Sequence, residues 1–228
     1  MQLLPAPDRL LMDWDHAPVC FITDDGASLC WTLAENLTAR GWKTVVLQWP
    51  TSESKLSSKL PQDVQAIQTQ GMGEDHIKTA LIQASKPYGA ASALVYLEPV
   101  STSSEPEQNL QAAFWLAKHL QPALTETSHR GRNAFLTVTR MDGVLGTSGT
   151  ENSSALSGGL FGLVKTLNLE WEDVFCRAVD LQPDLSAEQA AACVLAEMED
   201  PDRTVVEVGV GPQERVTLAL AQAVRSTS

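Results

Sequence analysis

Short apolar runs alternate along this chain with longer stretches in which apolar residues recur three and four positions apart. Val19-Cys-Phe-Ile-Thr23 reads as a strand, and Ser28 to Arg40 carries Leu29, Leu33, Ala34 and Leu37 at helical spacing. Gly41 is a helix stop, and Lys43 to Gln48 is the next strand, closing a first βαβ unit. Trp49 to Lys59, rich in Ser, Lys and Thr, reads as a surface loop before a short strand at Val64 to Gln68. Glu74 to Lys86 is a helix with Ile77, Leu81 and Ile82 inward, ended by Pro87-Tyr88-Gly89 ahead of the strand Ala93 to Leu97. The cycle repeats: a helix from Glu105 to Leu124 with Leu110, Phe114, Ala117 and Leu120 on one stripe, then the strand Ala134 to Thr139. A helix from Ser154 to Trp171, the strand Phe175 to Leu181, a helix from Ala187 to Met198 and the strand Thr204 to Gly209 complete the series. This alternation predicts an α/β fold, a doubly wound parallel sheet with helices on both faces, in one domain.

Composition narrows the partners. Acidic residues outnumber basic ones 28 to 16, so the net charge of −12 repels nucleic-acid phosphates and anionic lipid headgroups alike. No run approaches the roughly 20 apolar residues of a membrane span, and Met1 to His16 lacks the basic leader and apolar core of a signal peptide. Cys20, Cys30, Cys176 and Cys193 show no C-x-x-C spacing, which fits reduced thiols in a cytoplasmic protein better than a disulfide scaffold or zinc site. His16, His76, His119 and His129 likewise lack metal-ligand spacing and read as surface or capping residues, so no metal is expected.

In a doubly wound fold the turn after the first long strand carries phosphate-binding glycines if a dinucleotide is bound. Here that turn is Thr23-Asp24-Asp25-Gly26-Ala27-Ser28, and only Gly26 is left. Asp24 and Asp25 place carboxylates where phosphates would lie, each close like-charge pair costing about 1 kcal/mol in water and several at lower effective dielectric. The same aspartates suit a structural role, capping orphan N–H groups of the next helix. The second strand ends in Gln48-Trp49, with neither an acidic residue for a ribose hydroxyl nor a basic one for a 2′-phosphate. A short-chain reductase holds its catalytic Tyr and Lys four residues apart on one helix, where the ammonium lowers the phenol pKa. At that spacing this chain has Phe161 and Lys165, with Ser148 thirteen residues before Phe161. A phenyl ring cannot donate a proton, so these positions are vestigial at most, and Phe161 reads more simply as a core aromatic.

The stretch Gly158 to Leu181, GGLFGLVKTLNLEWEDVFCRAVDL, resembles the structural subdomain of ketoreductase domains in modular polyketide synthases. It is similar still more closely to the multifunctional synthases of polyunsaturated fatty acids. Ala93 to Pro99, Phe114 to Leu120 and Thr139 to Gly143 support it in the expected order, and the resemblance spans roughly Val19 to Val210. It implies a degenerate Rossmann-like half over residues 19–210, flanked by an N-terminal segment, 1–18, and a C-terminal linker, 211–228. In that family only the second half carries the glycine loop, the NADPH site and the catalytic residues. The resemblance therefore implies no cofactor for this chain, NADPH for a catalytic ketoreductase half of the same polypeptide, and that half and neighbouring synthase domains as partners. The isolated chain is expected to be inactive. The alternatives are a divergent short-chain reductase using Ser148 and Lys165 with residual NADPH binding, or a stand-alone regulatory nucleotide-binding domain.

Overall fold

The computed structural model describes residues 1–8, 14–50, 64–100, 106–149 and 155–219. Seven parallel strands run through them: β2 (Val19–Thr23), β3 (Lys43–Gln48), β4 (Val64–Gln68), β5 (Ala93–Leu97), β6 (Ala134–Thr139), β7 (Phe175–Leu181) and β8 (Glu207–Val210). Two short strands, β1 (Gln2–Leu3) and β9 (Arg215–Thr217), pair antiparallel at one edge, giving the order β1-β9-β8-β7-β6-β5-β2-β3-β4. The arm and linker expected at the two ends thus each contribute a strand; residues 220–228 lie outside the described ones. The expected strand from Thr204 begins only at Glu207, because Asp202 captures the backbone N–H of Thr204 in a turn before β8.

Helices α1 (Leu29–Ala39) and α5 (Ala187–Glu199) cover one face of the sheet, and α2 (Glu74–Tyr88), α3 (Pro106–Thr127) and α4 (Ser157–Glu170) the other. The central strands β2, β5, β6 and β7 are buried on both faces, which is why they read as largely apolar runs in the sequence. Two inward assignments fail. Ile82 is exposed, since the buried stripe of α2 is Ile77, Ala80, Leu81 and Ala84, and residue 82 lies about 100° round the helix from 81. Phe114 is also exposed: α3 buries Ala112, Ala113, Leu116 and Ala117, and Phe114 turns outward, edge-on to Trp115 at 4.9 Å. Trp49, read as the first residue of a surface loop, is buried in the core, while 51–63 lie outside the described residues.

One charge sits in the middle of the sheet. Arg177 on β7 is fully buried and points to the α5 side, like Phe175 and Val179 two positions either way. Its guanidinium meets Glu197 Oε2 at 2.6 Å and Asp200 Oδ2 at 3.3 Å, and donates to the Asp202 carbonyl at 2.6 Å. Arg215 of β9 joins the same two carboxylates, meeting Glu197 Oε1 at 2.6 Å and also pairing with Asp200. Two cations and two anions thus neutralise each other in the interior and tie β7, α5 and β9 together.

Candidate functional site

The strand order places β2 between β3 and β5, so the chain winds outward through β3 and β4, then crosses back to β5 and winds the other way. Ligands of open α/β sheets bind at this switch point, outside the carboxyl ends of the two central strands. Here hydrogen bonds tie its two sides together. The Thr23 hydroxyl donates to the Leu97 carbonyl at 3.0 Å and accepts the Leu97 N–H at 2.7 Å, and the Val100 N–H reaches the Asp25 carbonyl at 2.9 Å. Hydrogen bonding between β2 and β5 therefore continues past the strand ends.

The turn that follows β2 is built around its two carboxylates. Asp24 Oδ1 accepts the Gly26 N–H at 2.8 Å, and Gly26 takes a φ of +71°, open to a residue without Cβ. Asp25 Oδ1 accepts from Cys30 N at 3.1 Å and Ala27 N at 3.3 Å, at the N-terminus of α1. Ser28, at the N-cap position, makes no side-chain cap, so Asp25 takes over that role from further back. Both aspartates are buried. Burial pushes the Asp25 carboxyl above the usual carboxylate range, against the pull of the Cys30 and Ala27 amides and of the Arg140 charge.

Around the crevice stand groups that the sequence did not single out. Glu98, directly after β5, accepts the Ser157 hydroxyl at 2.8 Å, and burial raises its pKa. Asp180 near the end of β7 accepts from Thr139 Oγ1 at 3.0 Å, Met141 N at 2.8 Å and Leu145 N at 2.9 Å. Burial raises its pKa too, outweighing those hydrogen bonds. Asp142 accepts the N–H groups of Val144, Gly146 and Ser148, which hold its carboxyl well below the usual range even though burial pushes it up. The only signal in the sequence was a carboxylate next to an apolar run, which does not separate these from surface residues.

The positions of the reductase-like spacing go to different places. Ser148 lies on the exposed loop after β6, bonded through its N–H to Asp142 Oδ2 at 2.9 Å, at the carboxyl end of the sheet. Phe161 is buried against the core between α4 and the sheet. Lys165 Nζ pairs at 2.6 Å with Glu207, the first residue of β8, at the amino end of the sheet. Ser148 and Lys165 thus have partners at opposite ends of the strands. Among the described residues no group of three or more His, Cys, Asp or Glu is arranged to hold a metal ion, and no helix is long and apolar enough to cross a membrane.

The raised carboxyls give a pH dependence whose sign is fixed. A carboxyl with a folded pKa above its unfolded value contributes stability that is present at low pH and lost as pH rises through the folded pKa. Asp25, Glu98 and Asp180 all act in that sense. Asp142 and Asp202, with lowered pKa, contribute in the opposite sense, losing stability only as pH falls through their folded values. Unfolding free energy, followed by urea titration, should therefore rise as pH falls from neutral toward the ordinary carboxylate range, and fall again in more acidic solution. Asp25→Asn, which keeps the capping oxygen and removes the buried charge, should flatten the neutral limb, and Asp25→Ala should cost about 0.5–2 kcal/mol through loss of the cap. A neutral limb unchanged in Asp25→Asn would show that this carboxyl is not what sets the slope.

Comparison with known proteins places this geometry. No protein-family profile matches the chain. It is 30% identical over 219 residues to one subunit of the polyunsaturated fatty acid synthase of Thraustochytrium sp., a match covering 93% of this chain and 8% of that protein. Its fold is that of a 3-ketoacyl-(acyl-carrier-protein) reductase of Brucella melitensis complexed with NADH, at a TM-score of 0.56 and 18% identity over 73% of this chain and 74% of that one. A putative short chain dehydrogenase/reductase family oxidoreductase of Aeromonas hydrophila matches at a TM-score of 0.60 and 18% identity, over 78% and 90% of the two chains.

Proposed function

We propose that this chain, a homologue of one segment of a polyunsaturated fatty acid synthase and folded like a short-chain reductase, is the non-catalytic structural half of a synthase ketoreductase. In this reading it binds no nicotinamide cofactor. It supports a catalytic half of the same polypeptide, which reduces 3-oxoacyl groups on acyl carrier protein with NADPH. The observation that carries the proposal is the seat of Asp25. Its carboxylate accepts the N–H of Cys30 in the first turn of α1 and that of Ala27 just ahead of the helix, so an anion of the chain itself stands at the terminus a pyrophosphate would approach. The stitching of β2 to β5 by Thr23 works in the same direction.

Calorimetric titration of the chain with NADPH and with NADH tests this. No saturable heat up to millimolar nucleotide is expected, and no oxidation of NADPH in the presence of a 3-oxoacyl thioester. A dissociation constant in the low micromolar range would overturn the reading in favour of a nucleotide-binding domain. Installing tyrosine at Phe161 should not create activity, because an acid catalyst has nothing to act on without a bound hydride donor.

A further inference from the structure

In a doubly wound sheet both faces are covered by helices, but here cover is missing at one corner. Residues paired across strands share a face, so Gly209 of β8, Val216 of β9 and Leu3 of β1 point to the α4 side, as does Glu207, which meets Lys165 of α4. The next row on that face continues from Glu207 through Leu218 to Met1. Among the described residues, α4 is the last helix on this side, because after β8 the chain turns back as β9 instead of crossing over. The loop after β6 covers part of the corner, with Thr147 touching Met1 and the Gly143 carbonyl lying so close to Gly209 that no side chain fits there. The rest is open. Leu3 is 70% exposed, Met1 59% and Leu218 45%, and across the Lys165–Glu207 pair Leu169, one turn further along α4, is 83% exposed. Half of the large apolar side chains exposed among the described residues lie in this one strip, on a chain of net charge −12. The strip's own two charges neutralise each other.

We propose, resting on the scaffold reading above, that the catalytic half docks in this notch between α4 and the helix-free face of β8, β9 and β1. Position argues for that occupant. β9, the last strand among the described residues, borders this strip, so a domain joined after it is held at high effective concentration beside these residues. The patch suits it: apolar anchors around a self-compensated ion pair can be covered without stranding a charge.

Single cysteines at Leu3, Leu169, Ile82 and Phe114 test the placement, by their rate of labelling with a bulky maleimide in this chain alone and in the polypeptide that joins it to its following half. Labelling is counted above that of the unsubstituted protein. Leu3→Cys and Leu169→Cys should label fast in the chain alone and at least tenfold slower in the two-half protein, while Ile82→Cys and Phe114→Cys keep their rates. Protection of Phe114→Cys or Ile82→Cys instead, or of none of the four, overturns the docking site. Protection of Leu3→Cys that appears in the chain alone and grows with concentration overturns it as well, in favour of a second copy. The functional reading is judged separately, by NADPH-dependent reduction of a 3-oxoacyl thioester in the two-half protein. Activity with the wrong protection pattern sinks only the notch, and no activity sinks the ketoreductase reading.

Discussion

Arg177→Ala should lower the unfolding free energy by about 3–5 kcal/mol, one of the two largest losses expected of a single substitution in this chain. Truncation leaves Glu197 and Asp200 buried with only Arg215 to balance them, and frees the Asp202 carbonyl that Arg177 now satisfies. A buried anion without its counter-charge is worse than no ion pair at all. For that reason the double variant Arg177→Met with Glu197→Met should recover a good part of the loss, since a pair replaced by apolar volume carries no desolvation penalty. Urea denaturation of the two single variants, the double variant and the parent measures the coupling directly. Equal losses in the single and double variants would mean that Arg177 acts through packing on Phe175, whose ring centroid lies 4.9 Å from its guanidinium carbon, and not through charge.

Phe161→Ala should cost a similar amount, about 3–5 kcal/mol, because the ring is buried in the core and the site cannot refill with side chains already packed against the sheet. Lys165→Ala, one turn away, should cost no more than about 1 kcal/mol, since its pair with Glu207 is half open to water. This contrast separates scaffold from catalyst. In the intact two-half protein, Phe161→Ala should reduce soluble yield first and turnover only in proportion to the folded fraction. Lys165→Ala strands Glu207 in the proposed docking notch, but turnover per molecule that is both folded and docked should be unchanged. Turnover abolished in a Lys165→Ala protein that is folded and still docked, with Leu3→Cys protected, would mean that this half takes part in the chemistry, and the proposed function would have to be given up.

The local part of this architecture was legible in the sequence. Strand and helix follow from periodicity, and periodicity follows from which side of an element meets the core, so an unbroken apolar run such as Ala93 to Leu97 already specifies a strand buried on both faces. The structural part of the turn after β2 was legible too, because a carboxylate ahead of a helix complements its N-terminus, and Asp25 does cap α1. Helix faces were less secure. Ile82 and Phe114 satisfy a helical repeat, but which apolar stripe turns inward depends on the neighbouring helices, and that is settled only by packing.

Tertiary structure alone decided everything that depends on separation through space. Ser148, Phe161 and Lys165 keep a reductase-like spacing in the sequence, yet the fold sends Ser148 and Lys165 to partners at opposite ends of the sheet. The sequence proposed Asp25 as a cap, but only the structure shows that its carboxylate is buried at the helix N-terminus and that Thr23 bonds β2 to Leu97 of β5 beside it. Arg177 gave no warning in a largely apolar strand, because its partners Glu197 and Asp200 come from the next helix and its end, and Arg215, which shares them, from a strand formed by the expected linker. The physical reason is common to all three. Periodicity reports whether a side chain meets the core, a one-dimensional property, whereas ion pairs, caps and clefts are set by distances between segments that only the assembled sheet brings together.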